Sequence, residues 1–464
     1  MAQVQVNFKK ALGKIKPMHA TNNGPTAQVN GFNPSGEAAD TEKHDHHIVG
    51  ENIYEFAMAG IPYARTHDAS FFARYGLEHT VDVAAIFPNF DADPYDPASY
   101  DFVCTDHYLD MIEAAGTKVF YRLGHRIEHE IKKYGTLPPK DFHKWAVICE
   151  HIIRHCTEGW ANGKKRDILY WEIWNEPDLR YKDPPEVSHP TWGGTKEQFF
   201  ELYHITATHL KKCFPHLKIG GPAIAGSMNW SRAFLAQLKA PLDFFSWHIY
   251  TDTTEKVIAC AEAVRALLDE YGFQSTESIL NEWNYVRSWE PATLRYSCIQ
   301  QNRSKGASFT LATMCAAQRS SIDLLMYYDA RPGTCWNGMF DLWQDGPYST
   351  KIGYYPFPMF NALYQMGTEV DSTADDPTVF VCAARDEERA AVVLTHYNDD
   401  DAAEKKPVCV ELAGLGERTE AEFYLLDDDH RLTLTQKLTF AGGSFAWEID
   451  IPNHTSYLIL MKGK

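Results

Sequence analysis

Between Ile15 and Tyr328 one local pattern recurs: a short apolar run, a polar turn, then a longer stretch with apolar residues at helical spacing. The apolar runs are Ile15–Met18, Ile61–Arg65, Thr117–Leu123, the run from Tyr170 that stops at Asn175-Glu176-Pro177, Lys218–Pro222, Asp243–Tyr250, Ser278–Asn281 and Ile322–Tyr328. Helical spacing fills the gaps, over Asn52–Gly60, Ala98–Ala115, Asp141–Cys156, Thr195–Cys213, Ser231–Lys239, Thr254–Tyr271 and Gly306–Ser320. The fourth of these opens on Thr195-Lys196-Glu197-Gln198, a capping-box pattern. Eight strand and helix units predict a closed parallel barrel, because an open doubly wound sheet has fewer strands and a glycine-rich turn after the first. Leu77–Phe90 reads as an insertion carrying a short apolar strand. Asp91–Pro97 reads as an Asx and proline turn capping the next helix, since its acids lack the twelve-residue spacing and glycine of a calcium loop.

From Gly367 the texture changes to short β-rich segments, such as Val379–Ala383, Ala391–Tyr397, Val408–Leu412, Ala421–Leu426 and Ser456–Met461, separated by Asp, Asn and Gly. This predicts a C-terminal β-sandwich over residues 367–464 beside a barrel over residues 15–366. Val4, Val6 and Phe8 alternate in the same way, so residues 1–14 are expected to add a strand to the sandwich. Trp447, the one tryptophan of that module, is as well explained by its core as by sugar binding.

Two of the barrel runs end in a carboxylate beside a tryptophan. In Tyr170-Trp171-Glu172-Ile173-Trp174-Asn175-Glu176-Pro177, the proline forbids a continuing central strand, so Glu176 lies at a strand end. Ser278-Ile279-Leu280-Asn281-Glu282-Trp283 is the second case. Because all strands of a parallel barrel open their carboxyl ends onto one face, Glu176 and Glu282 are predicted to share a site despite their separation in sequence. Each taken alone is also compatible with an ordinary surface glutamate. Glu172 shares the face of Glu176 by alternation and is expected deeper in the barrel, as a structural residue.

With this pair the chain resembles the retaining glycoside hydrolases with a (β/α)8 TIM barrel, and within them family 39, the β-xylosidase and α-L-iduronidase family. Further resemblance lies in Lys16-Pro17-Met18-His19, Asn22-Asn23-Gly24-Pro25, Ala64-Arg65-Thr66-His67-Asp68 and Ser246-Trp247-His248-Ile249-Tyr250, so it covers most of the chain. The resemblance implies Glu176 as acid/base, Glu282 as nucleophile, Asn175 against the sugar's 2-hydroxyl, and His248 and Tyr250 beside the nucleophile. Trp283 and Trp336 are named for stacking on a sugar, His67, His125 and Arg122 for its hydroxyls, with loop ordering the equal alternative for the last two. Asp329 alone remains where related β-xylosidases have an acidic pair after strand eight, and Arg331 lies beside it, so the sugar is left open. Inserts at residues 22–47, 77–97 and 180–195 are expected to wall off one end and make the enzyme exo-acting.

A net charge of −18 with no basic stripe argues against nucleic acid and disfavours polyanionic chains. No run reaches the length of a membrane span, and Met1–Lys16 lacks the features of a signal peptide, so a cytoplasmic location, or a removed leader, is expected. The ten cysteines have no paired spacing and read as reduced thiols. No cofactor and no metal are expected, and a glycoside is the expected partner, with a homo-oligomer left open. Two other readings stand beside the glycosidase. One is a metal-dependent barrel hydrolase drawing on His44, His46, His67, His125 and His248, within or beyond the loop cluster Lys43–His47. The other is a non-catalytic carbohydrate-binding protein on a decayed barrel.

Overall fold

The computed structural model describes residues 1–25, 52–67, 80–129, 131–181, 189–332, 336, 338–341 and 350–463. Its first strand, β1 (Ala2–Lys14), belongs to the second of two sheets. Eight parallel strands then close a barrel: β2 (Ala20–Asn22), β3 (Tyr63–Arg65), β4 (Lys118–Leu123), β5 (Tyr170–Ile173), β6 (Lys218–Ile224), β7 (Phe244–Thr251), β8 (Glu277–Tyr285) and β9 (Leu324–Tyr327). Pairing of Ala20 with Met326 shuts the ring.

Alternation along the strands divides the side chains between two environments. On β5, Trp171 and Ile173 face the surrounding helices, and Trp171 stacks on Tyr121 at 4.9 Å between ring centres. Tyr170 faces inward, among Phe120, Phe244, Ile279 and Met326, an apolar plug at the amino-terminal end of the barrel. The next inward residue on β5 is Glu172, so the interior turns polar one layer above the plug.

The helices follow the sequence signals closely. Asp141 caps the helix Phe142–Thr157 by accepting from the backbone N–H groups of His143 and Lys144. Thr195 and Gln198 complete a reciprocal capping box at the start of Lys196–Cys213. Asp96 accepts from the N–H of Ala98 but caps only a 3-10 turn, Pro97–Ser99; the helix expected from Ala98 begins at Val103 and has no side-chain cap at Phe102, because extended backbone follows the Pro97 turn.

Two strand expectations are corrected. Ile15–Met18 is not the first barrel strand: Ile15 donates to the carbonyl of Gly367 and Met18 packs in the core, so this apolar run is a buried connector. The strand is instead Ala20–Asn22, short and partly polar because it ends in the polar layer. The apolar segment inside Leu77–Phe90 forms a one-turn helix, Val83–Ile86, whose Val83 and Ile86 bury against the barrel. Residues 68–79 lie outside the described residues.

The C-terminal strands are β10 (Thr368–Ala374), β11 (Val379–Arg385), β12 (Arg389–His396), β13 (Lys406–Ala413), β14 (Arg418–Leu426), β15 (Arg431–Ala441), β16 (Ser444–Ile451) and β17 (Thr455–Gly463). With β1 they form one nine-stranded, mostly antiparallel sheet in the order β15-β14-β17-β12-β11-β10-β1-β13-β16. The sheet curls until its ends face each other, which gives the layering of a sandwich: Phe423 of β14 lies 4.9 Å from Trp447 of β16, and Trp447 meets Tyr457 edge-on at 5.1 Å. Trp447 therefore packs in the fold of this module.

The two units are joined by charge as well as by apolar packing. Asp399, after β12, accepts from Tyr285 Oη at 2.6 Å, Arg287 Nε at 2.8 Å and Lys305 Nζ at 3.0 Å. Tyr397 Oη donates to the carbonyl of Asp252 just beyond β7. The sheet thus grips the carboxyl ends of both β7 and β8.

Candidate active site

The carboxyl end of β5 is bent by its own backbone. Trp174 and Glu176 both have positive φ, 75° and 47°, a region costly for residues with a Cβ and often held at functional sites. Surroundings enforce it. The N–H of Glu176 donates to the carbonyl of Ala223 at 2.9 Å, its carbonyl accepts from Thr191 Oγ1 at 2.6 Å, and Trp174 anchors outward against Trp192 at 5.2 Å. The result turns the carboxyl of Glu176 over the barrel mouth, where Oε1 lies 2.8 Å from His248 Nδ1.

Glu282 reaches the same place through a β-bulge. Between the pairs Trp247↔Leu280 and His248↔Glu282, β8 advances two residues while β7 advances one, and the pairing with β9 shows the same extra residue. Asn281 and Glu282, adjacent in sequence, consequently both turn inward: Asn281 Nδ2 donates to Glu172 and Tyr250 Oη donates to Glu282 Oε1 at 2.6 Å. One oxygen of Glu176, one of Glu282 and a nitrogen of His248 all lie within 4.8 Å of one another.

Below the pair is a buried polar layer. Arg65 Nε donates to Glu172 Oε2 at 2.7 Å, Nη1 to Asn22 Oδ1 at 2.9 Å, and Nη2 to Asn175 Oδ1 at 2.7 Å; Nη1 also lies 3.5 Å from Glu282 Oε2. Glu172 further accepts from Ser246 Oγ at 2.6 Å and from Asn281. A fully buried ion pair of this kind adds little net stability, yet removing one member leaves an uncompensated charge, so it fixes geometry. Asn175 shows the effect. With its Oδ1 committed to Arg65, its buried Nδ2 is the group left to donate, and it has no partner among the described residues.

Burial raises both carboxyls, Glu176 from 4.5 to about 7 and Glu282 from 4.5 to about 7. Arg65 opposes the rise at Glu176; His248, Arg65 and the Tyr250 hydroxyl oppose it at Glu282, while the charge of Glu176 adds to it. Two close carboxyls titrate as a unit and hold one proton between them over a range of pH. The donors decide where it sits. Glu282 accepts from the Tyr250 hydroxyl and has Arg65 at 3.5 Å, His67 at 3.6 Å and His248 at 3.5 Å, whereas the carboxyl of Glu176 has one close contact among the described residues, His248, whose own pKa burial lowers. This asymmetry of contacts favours the charge on Glu282 and the proton on Glu176.

A protonated and an ionised carboxyl, facing each other at strand ends of a parallel barrel, are the equipment for cleaving a glycosidic bond. Comparison with known proteins agrees. The model of Glycosyl hydrolases family 39 matches residues 72–292, a span that holds both carboxyls. The chain is 31% identical over 203 residues to a β-xylosidase of Geobacillus stearothermophilus, a match covering 41% of this chain and 37% of that protein.

Over residues 72–292 the chain belongs to glycosyl hydrolase family 39.

Among solved structures, a glucosidase from Croceicoccus marinus superposes with a TM-score of 0.77 at 20% identity, covering 100% of this chain and 99% of the other. A monomeric β-xylosidase from Caulobacter crescentus gives 0.70 at 18% identity, with 100% of each covered, so the likeness of fold extends over both units.

The remaining residues named from sequence fall into two groups. His67 lies 3.6 Å from Glu282 Oε2, and Trp336 lies 5.5 Å from the ring of Tyr250, so both border the pair. Asp329 is fully buried at the end of β9, accepting from Asn23 Nδ2 at 3.0 Å, with Arg331 Nε at 3.5 Å. Others lie elsewhere. Trp283 is turned outward by the bulge and packs on Phe309 and Tyr327, so its ring is a core residue and does not face the cleft. Arg122 is buried and orders loops, donating to the carbonyls of His67 and His125 and to Asp82. His125 follows it, 3.9 Å from Asp82, at the edge of an apolar cavity of about 320 Å³ between Phe87, Trp145 and Trp174.

Of the histidines named for a metal centre, His67 and His248 approach Glu282 while His125 faces Asp82; His44, His46 and the rest of Lys43–His47 lie outside the described residues, as does Asp68. Of the inserts, residues 26–47, 77–79 and 182–188 also lie outside them, while 80–97 are described. Sequence reading quoted Arg65, Ser246 and Asn281 within its motifs but gave them no role; their signal was polarity within buried strands. It also passed over Tyr328, 5.4 Å from the ring of His67, and Trp289, which stands 59% exposed with its ring 5.4 Å from Tyr250 and 5.8 Å from Trp336.

Proposed function

We propose that this chain is a retaining, β-xylosidase-like exo-glycosidase in which Glu282 is the nucleophile and Glu176 the acid/base. The matched stretch spans 37% of the length of the Geobacillus relative, so activity and substrate are inferred for the chain as a whole. The observation that carries the reading is the separation of the two carboxyls, with facing oxygens within 4.8 Å. Retaining enzymes hold them about 5 to 5.5 Å apart, whereas inverting ones need about 6.5 to 9.5 Å to admit a water.

In the first step the Glu282 carboxylate attacks the anomeric carbon as the bond to the leaving oxygen breaks, and Glu176 gives that oxygen its proton. A glycosyl ester of Glu282 results. In the second step Glu176, now a carboxylate, takes a proton from water as the water oxygen attacks the same carbon and frees Glu282. The unpartnered Nδ2 of Asn175 is suited to donate to the sugar's 2-hydroxyl, where a hydrogen bond strengthens as the ring flattens. Tyr250 and Arg65 stabilise Glu282 as the leaving carboxylate of the second step. Trp336, Trp289 and Tyr328 offer aromatic surface at the rim for a sugar's apolar face.

Release of nitrophenol from aryl β-xyloside, α-L-arabinoside, α-L-iduronide, β-mannoside, β-galactoside and β-glucoside tests the reading, with β-xyloside expected to be turned over fastest. Glu282→Ala should abolish turnover, and azide should restore it to Glu282→Ala as the α-glycosyl azide and to Glu176→Ala as the β-azide. Equal turnover in wild type and Glu282→Ala would overturn the assignment.

A further inference from the structure

Away from the barrel mouth, three side chains of different chemistry converge between two neighbouring helices. His209 and Cys213 stand one turn apart on the helix Lys196–Cys213, the spacing that puts two side chains on one face. Glu150 reaches them from the helix Phe142–Thr157. His209 Nε2 lies 2.6 Å from Glu150 Oε2 and 3.9 Å from Cys213 Sγ, and the three atoms lie within 4.8 Å of one another.

We propose that Glu150, His209 and Cys213 form a binding site for a zinc-like divalent cation that ties these two helices together. The donor set is mixed nitrogen, sulfur and oxygen, which suits zinc or cobalt and disfavours magnesium or calcium. Zinc bond lengths in a tetrahedron place nitrogen and oxygen donors about 3.3 to 3.5 Å apart and a sulfur about 3.6 Å from either. The 2.6 and 3.9 Å separations bracket those values, so small side-chain rotations form the site. Two details favour it over a simple His–Glu ion pair. Arg154 Nε holds the other oxygen of Glu150 at 2.8 Å, which orients the carboxylate and leaves Oε2 for the ion, as outer partners of metal ligands do. Cys213 is the last residue of its helix, where unpaired carbonyls favour positive charge. All three side chains are partly exposed, so an ion can enter and water can complete its coordination. Burial and the charge of Glu150 hold the Cys213 thiol above its usual pKa, so binding must release that proton and strengthen as pH rises.

The site is independent of the catalytic reading, because the two helices lie outside the barrel and none of the three residues meets the carboxyl pair. Cobalt titration of the reduced full-length protein tests it, since a thiolate ligand gives a charge-transfer band that a site made of Glu176, His248 and Glu282 does not. The expected result is one equivalent of cobalt producing the band, zinc displacing it, Cys213→Ser losing it, and His209→Ala or Glu150→Gln weakening binding at least tenfold. In the wild-type protein, zinc should also slow alkylation of Cys213 at least tenfold, read by peptide mass mapping, while aryl glycosidase activity of Cys213→Ser stays unchanged. A wild-type protein with no band, a band equally strong in Cys213→Ser, or alkylation of Cys213 indifferent to zinc would overturn the proposal.

Discussion

Burying two carboxyls face to face should make this protein less stable than it could be, and by a predictable amount at a predictable pH. A carboxyl raised from 4.5 to about 7 binds its proton more tightly in the folded state, so the native protein gains stability as pH falls through 7 and loses it as pH rises. A rise of that size is worth about 3 kcal/mol once the pH exceeds the folded value, and nothing below the unfolded one. Glu176→Gln keeps the shape and a group able to hydrogen-bond His248 while deleting the ionisable proton, and it also relieves Glu282 of a like charge. The variant should therefore be more stable than wild type by on the order of 2 to 3 kcal/mol at pH 8, with the difference shrinking to near zero at about pH 4.5. Urea unfolding at a series of pH values measures it directly, using the variant and wild type under matched salt. A difference that is flat with pH, or a variant less stable at pH 8, would refute the view that burial dominates the electrostatics of the pair.

Four further outcomes follow from the same geometry. Tyr250→Phe removes the 2.6 Å hydrogen bond to Glu282, a charge-assisted contact worth about 1.5 to 3 kcal/mol, so kcat/KM should fall about 10- to 100-fold and its acidic limb should move to higher pH; a slower enzyme with an unmoved limb would assign Tyr250 another role. Glu172→Gln should destabilise the protein by about 3 to 5 kcal/mol by leaving Arg65 uncompensated, and should lower kcat more than it changes KM, because Arg65 also holds Asn175; urea midpoints and steady-state kinetics check the two parts. Trp289→Ala should raise KM roughly tenfold with little change in stability, whereas Trp283→Ala should lower the unfolding free energy by about 3 to 5 kcal/mol, as expected of a rim residue and a core residue. Asp399→Ala should cost about 1 to 3 kcal/mol and reduce kcat, because the sheet's hold on Tyr285 and Lys305 steadies the strand that carries Glu282; an unchanged kcat in a destabilised variant would limit the second sheet to bracing the fold.

No helix among the described residues is long and apolar enough to cross a membrane, and none of the nine described cysteines is in a disulfide.

The sequence by itself determined the barrel, because eight apolar runs separated by capped helices have one economical way to close, and it singled out Glu176 and Glu282, because strand-terminal carboxylates in such a barrel must share a face. It misplaced the first strand since hydrophobicity reports burial and not conformation: Ile15 and Met18 are buried as a connector, while Ala20–Asn22 pairs. Only the tertiary structure decided which neighbours the two carboxyls have. Simple alternation puts Asn281 and Trp283 on one face and Glu282 on the other; one extra residue in the pairing of β8 turns Asn281 and Glu282 inward together and sends Trp283 into the core. The positive φ at Glu176 is likewise imposed from outside, by the carbonyl of Ala223 and the hydroxyl of Thr191. Bulges and strained strand ends are held by contacts between segments far apart in the chain, and no local pattern of residues encodes them.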